Sequence, residues 1–204
     1  MTKTTEEIIM DAAIKVFTRG VYAAARTSDI AREAGINRAL LHYYFRDKQT
    51  IFNLIFEGRF KEFFGGLFKV MQSEDSLEEK IRKIINHEIG TLILHPDLPR
   101  FIAIEVASRP ELLVEYGTKL GLNPRMLIAR FEELTRAEIA KGNIRDIDPK
   151  QLLINIMSLS IYPFVAQPII RVMMQMDPVM FQQSMERRKQ EVFEFVMNAI
   201  KKHA

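Results

Sequence analysis

Apolar residues recur along most of the chain at intervals of three and four positions, the spacing that places side chains on one face of an α-helix. A first such segment runs from about Thr5 to Arg19 and is predicted to end at Gly20. Its apolar face consists of Ile9, Ala13, Val16 and Phe17. A longer segment follows Asp47 and reaches about Val70, with a face formed by Phe52, Phe56, Phe60, Phe63 and Phe64. Because strand-like alternation is almost absent, the pattern predicts an all-α protein of about nine or ten helices.

Capping residues mark the starts of the later helices in a recurring chemical form. Asp or Asn stands directly before proline at Asn123-Pro124, Asp148-Pro149 and Asp177-Pro178, and proline is favoured at the first helical position. Ser76 with Glu79, and Thr4 with Glu7, have the spacing of a capping box. The predicted later helices are 76–95, 97–109, a short one from 110, 124–141, 149–174 with a kink at Pro163, and 178–202.

Composition agrees with a folded protein in a reducing compartment. Hydrophobic residues make up 48% and charged residues 27% of the 204 residues, which is ordinary for a globular chain. Cysteine is absent, which excludes disulfides and cysteine nucleophiles. The uncharged stretch 151–170 contains two prolines and several polar side chains, which do not suit a helix in lipid. The N-terminus lacks the features of a secretory signal, so we expect a cytoplasmic protein without a membrane segment.

The net charge of +3 is unevenly distributed along the chain. Residues 1–61 contain ten Lys or Arg against seven Asp or Glu, whereas residues 62–204 contain nineteen of each. The whole positive excess therefore lies in the first third of the chain. This asymmetry favours an anionic partner for the N-terminal part.

The segment from Thr27 to Tyr44, TSDIAREAGINRALLHYY, has the residue types that a helix-turn-helix needs. Ala31 is small enough to let two helices approach, Gly35 tolerates the positive φ of the turn, and Ile36 fills the junction. Asn37 is a suitable cap for the second helix. The spacing predicts a second helix whose N-terminal end faces outward.

Residues at this outward end are candidates for contacts with base edges in the major groove. They are Asn37, Arg38, Ala39, His42 and Tyr43, and Leu40 at the border could contact a thymine methyl group. Two helices joined by a glycine turn also occur without DNA binding. The agreement of the apolar positions with the motif, together with the local positive charge, favours DNA binding.

The region from Ile9 to about Phe56 resembles the N-terminal signature of the tetracycline repressor-like (TetR/AcrR) regulators. The resemblance is carried by FTRGVYAAARTSDIAREAGINRALLHYYFRDKQTIF, whose Phe45-x-x-Lys48 ending is especially typical. The rest of the chain agrees in helix count and order. The resemblance implies a three-helix operator-binding domain in residues 1–46 and a larger helical domain in residues 47–204. The larger domain is expected to bind a small inducer and to dimerise, and ligand binding is expected to release the DNA.

The resemblance also implies particular DNA contacts. Phosphate contacts are expected from Thr27, Ser28, Tyr43 and Lys48, and base contacts from Arg38, Ala39 and Leu40. Lys48, near the start of a helix, is poorly placed for the helix dipole but well placed to reach a phosphate; a solvated surface lysine is the alternative.

Three positions depart from the family pattern. The usual Gly-Tyr after the first helix is Val21-Tyr22 here, with glycine one residue earlier. Arg26 replaces a frequent Ser or Thr, and His42 stands where Tyr is common. Arg26 and His42 could alter phosphate contacts, so the operator of a relative does not transfer to this chain.

A homodimer is expected, because one recognition helix makes few base contacts, each worth roughly 1–3 kcal/mol of discrimination. Two copies would read a palindrome in double-stranded DNA. The last two predicted helices are expected to form a four-helix interface with their counterparts in a second subunit. The predicted interface residues are Leu159, Phe164, Phe181, Met185, Arg188, Val192 and Phe195.

A ligand pocket is suggested by 14 Phe and 11 Met, with polar residues scattered among apolar helix faces. The candidate pocket residues are Phe60, Phe64, His87, Thr91, Glu105, Arg109, Tyr116, Phe131 and Met157. A stripe of Phe or Met belongs to a core more often than to a pocket, and Glu105 or Arg109 could be surface charges. A small hydrophobic inducer is therefore inferred chiefly from the resemblance.

Enzyme activity is not expected. The four histidines form no HExxH or ExxH pattern, and no GxSxG, P-loop or dinucleotide-binding glycine motif occurs. No cofactor and no metal ion are predicted. An architectural or co-regulatory DNA-binding protein stays open, as does activation in place of repression. A steeply salt-dependent association with one palindrome would favour the regulator.

Overall fold

The computed structural model describes residues 3–19, 22–96, 98–99 and 106–202. This part of the chain contains ten α-helices and a short 3-10 turn at Tyr22–Ala24. The helices are α1 (Thr5–Arg19), α2 (Thr27–Glu33), α3 (Arg38–Tyr44), α4 (Lys48–Gln72), α5 (Leu77–Leu94), α6 (Glu111–Lys119), α7 (Pro124–Ala140), α8 (Pro149–Val165), α9 (Gln167–Met173) and α10 (Pro178–Ile200).

The all-α prediction is confirmed. Within the described ranges, extended pairing is limited to one isolated bridge between Ile144 and Lys201. Gly20, the predicted end of the first helix, lies outside the described residues. So do Glu105 and most of the predicted helix 97–109.

The predicted capping residues form the expected hydrogen bonds. Asp47 Oδ1 accepts from the Thr50 amide at 2.7 Å, and Ser76 Oγ accepts from the Glu79 amide at 3.3 Å. The helices that begin with proline are capped by the side chains of Asn123, Asp148 and Asp177. These bonds satisfy amides of the first turn that have no partner within the helix, which fixes where each helix begins.

Two hydrophobic cores organise the helices. The N-terminal core joins α1, α2 and α3 to the first half of α4 and to α6. Its members include Ile9, Phe17, Ile30, Leu41, Phe52, Phe56, Phe60, Leu112 and Tyr116. The C-terminal core joins the second half of α4 to α5, α7, α8 and α10, with α5 packed against all four. Helix α4 therefore contributes to both cores.

The predicted domain boundary at residue 46 falls in the turn between α3 and α4. The N-terminal core continues beyond that turn, because Ile51, Phe52, Ile55 and Phe56 of α4 are buried within it. A division of the chain into residues 1–46 and 47–204 stays a prediction. The packing shows that the first half of α4 supports the N-terminal helices.

Helix α4 passes through Gly65 and Gly66 without a break. The imidazole of His87 on α5 lies against Gly66, where a Cβ atom would overlap the ring. In this position His87 Nε2 is 2.8 Å from the carbonyl oxygen of Phe63. Glycine at 66 thus allows α4 and α5 to approach closely, at the cost of weaker helix propensity.

The predicted kink at Pro163 is wrong in position. Pro163 lies inside α8, and the chain bends by 72° between α8 and α9, at Ala166. Pro168 lies in the first turn of α9, where its missing amide has no helical partner to lose. No single helix of the described ranges is long and apolar enough to cross a membrane, although the bent pair of α8 and α9 passes that test by length and composition.

A side chain of α10 compensates for proline inside α8. Because Pro163 has no backbone N–H, the carbonyl of Leu159, four residues earlier, cannot receive its usual helical hydrogen bond. Arg188 Nε donates to that carbonyl oxygen at 2.9 Å. Arg188 therefore holds α10 to α8 within the protomer, and its place in the dimer interface stays a prediction.

Four other predicted interface residues lie in the C-terminal core. Phe164, Phe181, Met185 and Val192 are each no more than 6% exposed. Their apolar spacing was identified from the sequence, but they pack inside the protomer and have little surface to offer a second subunit. Leu159 is half-buried and Phe195 is 65% exposed, so these two keep surface that a partner could contact.

Replacing Arg188 with methionine is expected to destabilise the fold by about 1–3 kcal/mol, because the Leu159 carbonyl loses its donor. Pro163→Ala restores a backbone amide that can donate to the same carbonyl. In that background the cost of Arg188→Met should fall by about 1 kcal/mol or more. A double-mutant cycle measured by urea unfolding tests the coupling, and additive effects would contradict it.

Candidate DNA-binding surface and ligand cavity

Helix α3 is positioned by the turn that precedes it. Gly35 adopts φ +68°, the left-handed conformation expected of the turn residue. Asn37 caps the helix, since its Oδ1 accepts from the Leu40 amide at 2.8 Å. Ala31 and Leu41 are buried where α2 and α3 meet the N-terminal core. The predicted helix-turn-helix geometry is confirmed.

The residues predicted to contact DNA are accessible on this motif. Seven of them are exposed, namely Arg26, Asn37, Arg38, Ala39, Leu40, His42 and Tyr43. Thr27 and Ser28 are partly exposed in the first turn of α2. Tyr43 is 81% exposed, a large aromatic surface for a residue without a structural role in the core. Their individual contacts with DNA stay predictions.

Lys48 has structural partners that the sequence did not reveal. Its Nζ donates to the backbone oxygens of Tyr22 at 2.8 Å and Ala25 at 2.9 Å, and lies 4.2 Å from the centre of the Tyr22 ring. Lys48 therefore fixes the connection between α1 and α2 against the start of α4. This role explains a cation at a helix N-terminus, where the helix dipole disfavours it. Its predicted phosphate contact remains untested.

The charge around α3 is not neutralised by the protein itself. Within the described residues, the exposed Arg26, Arg38 and Arg46 make no ion pair. By contrast, Arg19 pairs with Glu33, and its Nη1 lies 2.7 Å from the carboxylate. Arg46, just after α3, was not among the predicted DNA contacts. The excess of positive charge in the first third of the sequence was the signal that could have included it.

A cavity of about 190 Å³ lies among α4, α5, α6, α7 and α8. Among the described residues, its lining is apolar except for one side chain, Glu88. The apolar lining consists of Phe63, Phe64, Leu67, Met71, Ile84, Leu113, Pro124, Leu127, Ile128, Phe131, Leu153 and Met157. An apolar cavity with a single polar group has the general character of a small-molecule site.

Three of the nine predicted pocket residues line this cavity: Phe64, Phe131 and Met157. The others lie elsewhere or, for Glu105, outside the described residues. Phe60 and Tyr116 are in the N-terminal core, and Thr91 is buried on α5 without lining the cavity. His87 contacts α4 at Gly66, and Arg109 lies 5.3 Å from the Phe52 ring centre. These five residues do not line this cavity, and their role in ligand binding stays a prediction.

Glu88 was missed by the sequence prediction. It lies on α5 in register with Ile81, Ile84, Ile85 and Leu92, so its spacing places a carboxyl group on the buried face. An acidic residue within an apolar helical stripe was the signal that could have identified it. Glu88 is only 1% exposed, and burial raises the pKa of its carboxyl group to about 8.

Comparison with protein families accounts for both parts of the structure. Residues 9–55 match the model of the bacterial regulatory proteins of the tetR family. Residues 78–196 match the tetracyclin repressor-like C-terminal domain. The chain belongs to the TetR family. It is thus a DNA-binding transcriptional regulator with an N-terminal helix-turn-helix, as the sequence resemblance implied.

Two curated relatives of this regulator match part of its sequence. A fatty acid metabolism regulator protein from Bacillus subtilis is 25% identical over 84 residues, which are 41% of this chain and 43% of that protein. The HTH-type transcriptional repressor NicS from Pseudomonas putida is 25% identical over 101 residues, which are 50% of this chain and 48% of that protein. The match spans less than half the length of each relative.

Solved structures share the whole fold at low sequence identity. The ketosteroid transcriptional regulator KstR2 of Mycobacterium tuberculosis superposes with a TM-score of 0.75 at 17% identity, over 100% of this chain and 98% of that one. The fatty acid degradation regulator FadR from Bacillus halodurans gives 0.57 at 17% identity, over 95% and 96%. These similarities establish the architecture of the regulator.

Helix α6 connects the cavity of the regulator to its N-terminal core. Leu113 lines the cavity, whereas the neighbouring Leu112 and Tyr116 are buried in the N-terminal core. The Tyr116 ring centre lies 4.7 Å from that of Phe56, and its hydroxyl donates to Asn53 Oδ1 at 3.1 Å. Helix α6 therefore packs both on the cavity and on the part of α4 that is buried with α2 and α3.

A large apolar surface is exposed on α9 and on the adjoining ends of α8 and α10. This α9 surface consists of Tyr162, Val165, Ile169, Val172, Met173, Met174, Val179 and Met180, each at least 46% exposed. Val172 and Met173 are more than three-quarters exposed. Large contiguous apolar patches are uncommon on monomeric proteins, so exposed apolar residues concentrated on one short helix and its neighbours are candidates for an interaction site.

Proposed function

We propose that this regulator is a ligand-responsive transcriptional repressor that binds a palindromic operator as a homodimer. The observation that carries the proposal is helix α3, which is rigidly capped at Asn37 and buried on its inner face at Leu41. Its outer face presents polar and cationic side chains to solvent. Such a helix suits insertion into the major groove.

Individual roles follow from the position of each side chain on the motif. Arg38, at the start of α3, is placed to donate to guanine, and the apolar Ala39 and Leu40 suit a thymine methyl group. Thr27, Ser28 and Tyr43 are placed for phosphate contacts, which would fix the orientation of the motif on the duplex. Further hydrogen-bond donors surround the same face, namely Arg26, Asn37, His42 and Arg46. Lys48 lies nearby, at the start of α4.

A second subunit is proposed to pack against the α9 surface. This surface replaces most of the residues predicted from the sequence, because those side chains are occupied inside the protomer. Burial of exposed valine, isoleucine and methionine would favour association by the hydrophobic effect. Two recognition helices about 34 Å apart would then read the two halves of a palindrome.

The cavity is proposed to hold the inducer. One sequence relative is a fatty acid metabolism regulator, and one solved structure of the same fold is a ketosteroid transcriptional regulator. A largely apolar lining suits an apolar ligand. A ligand would contact Phe63 and Phe64 of α4 and Leu113 of α6. Because α4 and α6 also form the N-terminal core, their movement would change the spacing of the recognition helices and weaken operator binding.

The test is to select bound fragments from the native genome and to measure binding to the best palindrome. Arg38→Ala is expected to weaken this binding at least tenfold, corresponding to loss of one contact worth about 1–3 kcal/mol. Helicity and dimer mass should not change. Arg136→Ala, an exposed arginine on α7, is the matched control and should bind as the parent protein does.

Two results would contradict the proposal. Equal affinity of the parent protein for the palindrome and for unrelated duplexes would indicate an architectural protein. Equal operator affinity of Arg38→Ala and the parent would remove Arg38 from base recognition. Binding should also weaken steeply with salt, since phosphate contacts release counterions.

A further inference from the structure

The polar chemistry of the cavity is concentrated on one wall. Glu88 reaches the lining from α5. Ser160 of α8 is fully buried and does not line the cavity, but it lies close enough to the Glu88 carboxyl group to lower its pKa slightly against the effect of burial. Neither Glu88 Oε2 nor Ser160 Oγ makes a hydrogen bond of normal geometry in the described structure. Buried polar atoms without partners are costly, and in native proteins they usually have a reason. A ligand group that bonds to the Glu88 carboxyl group would remove part of this cost.

Charged ligands fit this wall poorly. The described lining contains no lysine, arginine or histidine, so a carboxylate or phosphate would enter an apolar cavity beside an acidic residue without a counter-charge. An ammonium group would require Glu88 to lose its proton and would lose its own hydration. The small volume, about 190 Å³, further disfavours a ligand with a large hydrated head group.

An uncharged polar group fits the same wall well. Because burial raises the pKa of Glu88 to about 8, the carboxyl group is mostly protonated at neutral pH and offers one donor and one acceptor. The Ser160 hydroxyl lies outside the lining, where it can hydrogen-bond to the Glu88 carboxyl group. No charged side chain contributes to the Glu88 pKa among the described residues of the packed helices, so the wall is neutral as a whole.

Resting on the ligand-responsive function proposed above, we propose that the cavity selects a small, largely apolar and uncharged molecule with one hydrogen-bonding group. Glu88 recognises that group, which is a hydroxyl, ketone or amide. Phe63, Phe64 and Phe131 contact the apolar remainder. Glu88 is thus the residue that determines which ligands are accepted.

Four probes of one shape test this specificity on the intact regulator. They are 2-naphthalenemethanol, the hydrocarbon 2-ethylnaphthalene, the anion 2-naphthoate and the cation 2-naphthylmethylammonium. Binding is measured by the change in probe fluorescence at pH 7. The alcohol is expected to bind at least tenfold more tightly than each of the other three probes.

Two variants separate recognition from cavity shape. Glu88→Gln keeps an uncharged donor and acceptor, so the preference for the alcohol over the hydrocarbon should persist. Glu88→Leu removes both, so that preference should disappear while the hydrocarbon still binds. Thermal unfolding of each variant confirms that it is folded.

Three outcomes would overturn the inference. Tightest binding of the ammonium probe, lost in Glu88→Gln, would identify a cation site. An unchanged preference for the alcohol in Glu88→Leu would show that Glu88 does not recognise the ligand. Failure of all four probes to bind would reject the proposed specificity of this cavity. Operator binding is measured on the same preparation, so that this failure can be distinguished from a failure of the proposed DNA-binding function.

Discussion

Two carboxylates placed on the α9 surface are expected to convert the regulator from a dimer into a monomer. Ile169 and Val172 are three residues apart, on one face of α9, and are 62% and 79% exposed. The variant Ile169→Asp with Val172→Asp should therefore fold normally. In the proposed dimer it would bury four unpaired charges, which should raise the dissociation constant by about a thousandfold or more.

Operator binding should weaken with dimer loss. Two linked recognition helices bind with an avidity that exceeds the affinity of one, commonly by about 10²-fold or more. The measurements are molar mass by sedimentation, compared with 23.7 kDa for one chain, and affinity for the palindrome. Helicity should be unchanged.

The control places the same number of charges elsewhere. Leu94 on α5 and Met126 on α7 are 73% and 65% exposed. Leu94→Asp with Met126→Asp should leave both dimer mass and operator affinity as they are. A dimeric Ile169→Asp, Val172→Asp variant at micromolar concentration would show that subunits associate through another surface.

Lowering the pH from 8 to 5 is expected to stabilise the parent protein by about 3–4 kcal/mol relative to Glu88→Gln. The pKa of Glu88 rises from 4.5 to about 8 on folding because burial disfavours the carboxylate. The folded state therefore binds the proton more tightly than the unfolded state does. The resulting stability is fully present below pH 4.5 and is lost as the pH rises through 8.

Urea unfolding at a series of pH values measures this difference. All other titrating groups are shared by the two proteins, so their contributions cancel when the free energies of unfolding are subtracted. The protein concentration is kept constant, since formation of the proposed dimer would contribute to stability. Parallel pH profiles for the parent and Glu88→Gln would contradict the prediction and show that Glu88 is hydrated when ionised.

The helix-turn-helix could be predicted because its requirements are local. Gly35 is needed for the positive φ of the turn, and Ala31 allows the two helices to approach closely. Asn37 caps the second helix by accepting a hydrogen bond from the amide three residues later. Each of these demands falls on a residue type at a fixed position in a short segment. The same reason explains why the helix starts at Asp47, Ser76 and Asp148 were predicted correctly.

The ligand cavity could be predicted only in part. Helical spacing placed Phe131 and Met157 on apolar faces, and both line the cavity. The same spacing placed Phe60 and Tyr116 on apolar faces, but these two residues belong to the N-terminal core. Periodicity states which side of a helix is buried. It does not state which helix, or which empty space, that side meets.

The sequence by itself determined the all-α class, the positions of most helix starts, the recognition helix and the side chains that it exposes. All of these depend on residues within a few positions of one another. The tertiary structure decided the partners across helices: Lys48 on the carbonyls of Tyr22 and Ala25, Arg188 on that of Leu159, and Glu88 in the cavity wall. Some of these contacts join residues as much as 29 positions apart, and the others depend on how the helices pack. They therefore cannot be predicted from a local sequence pattern.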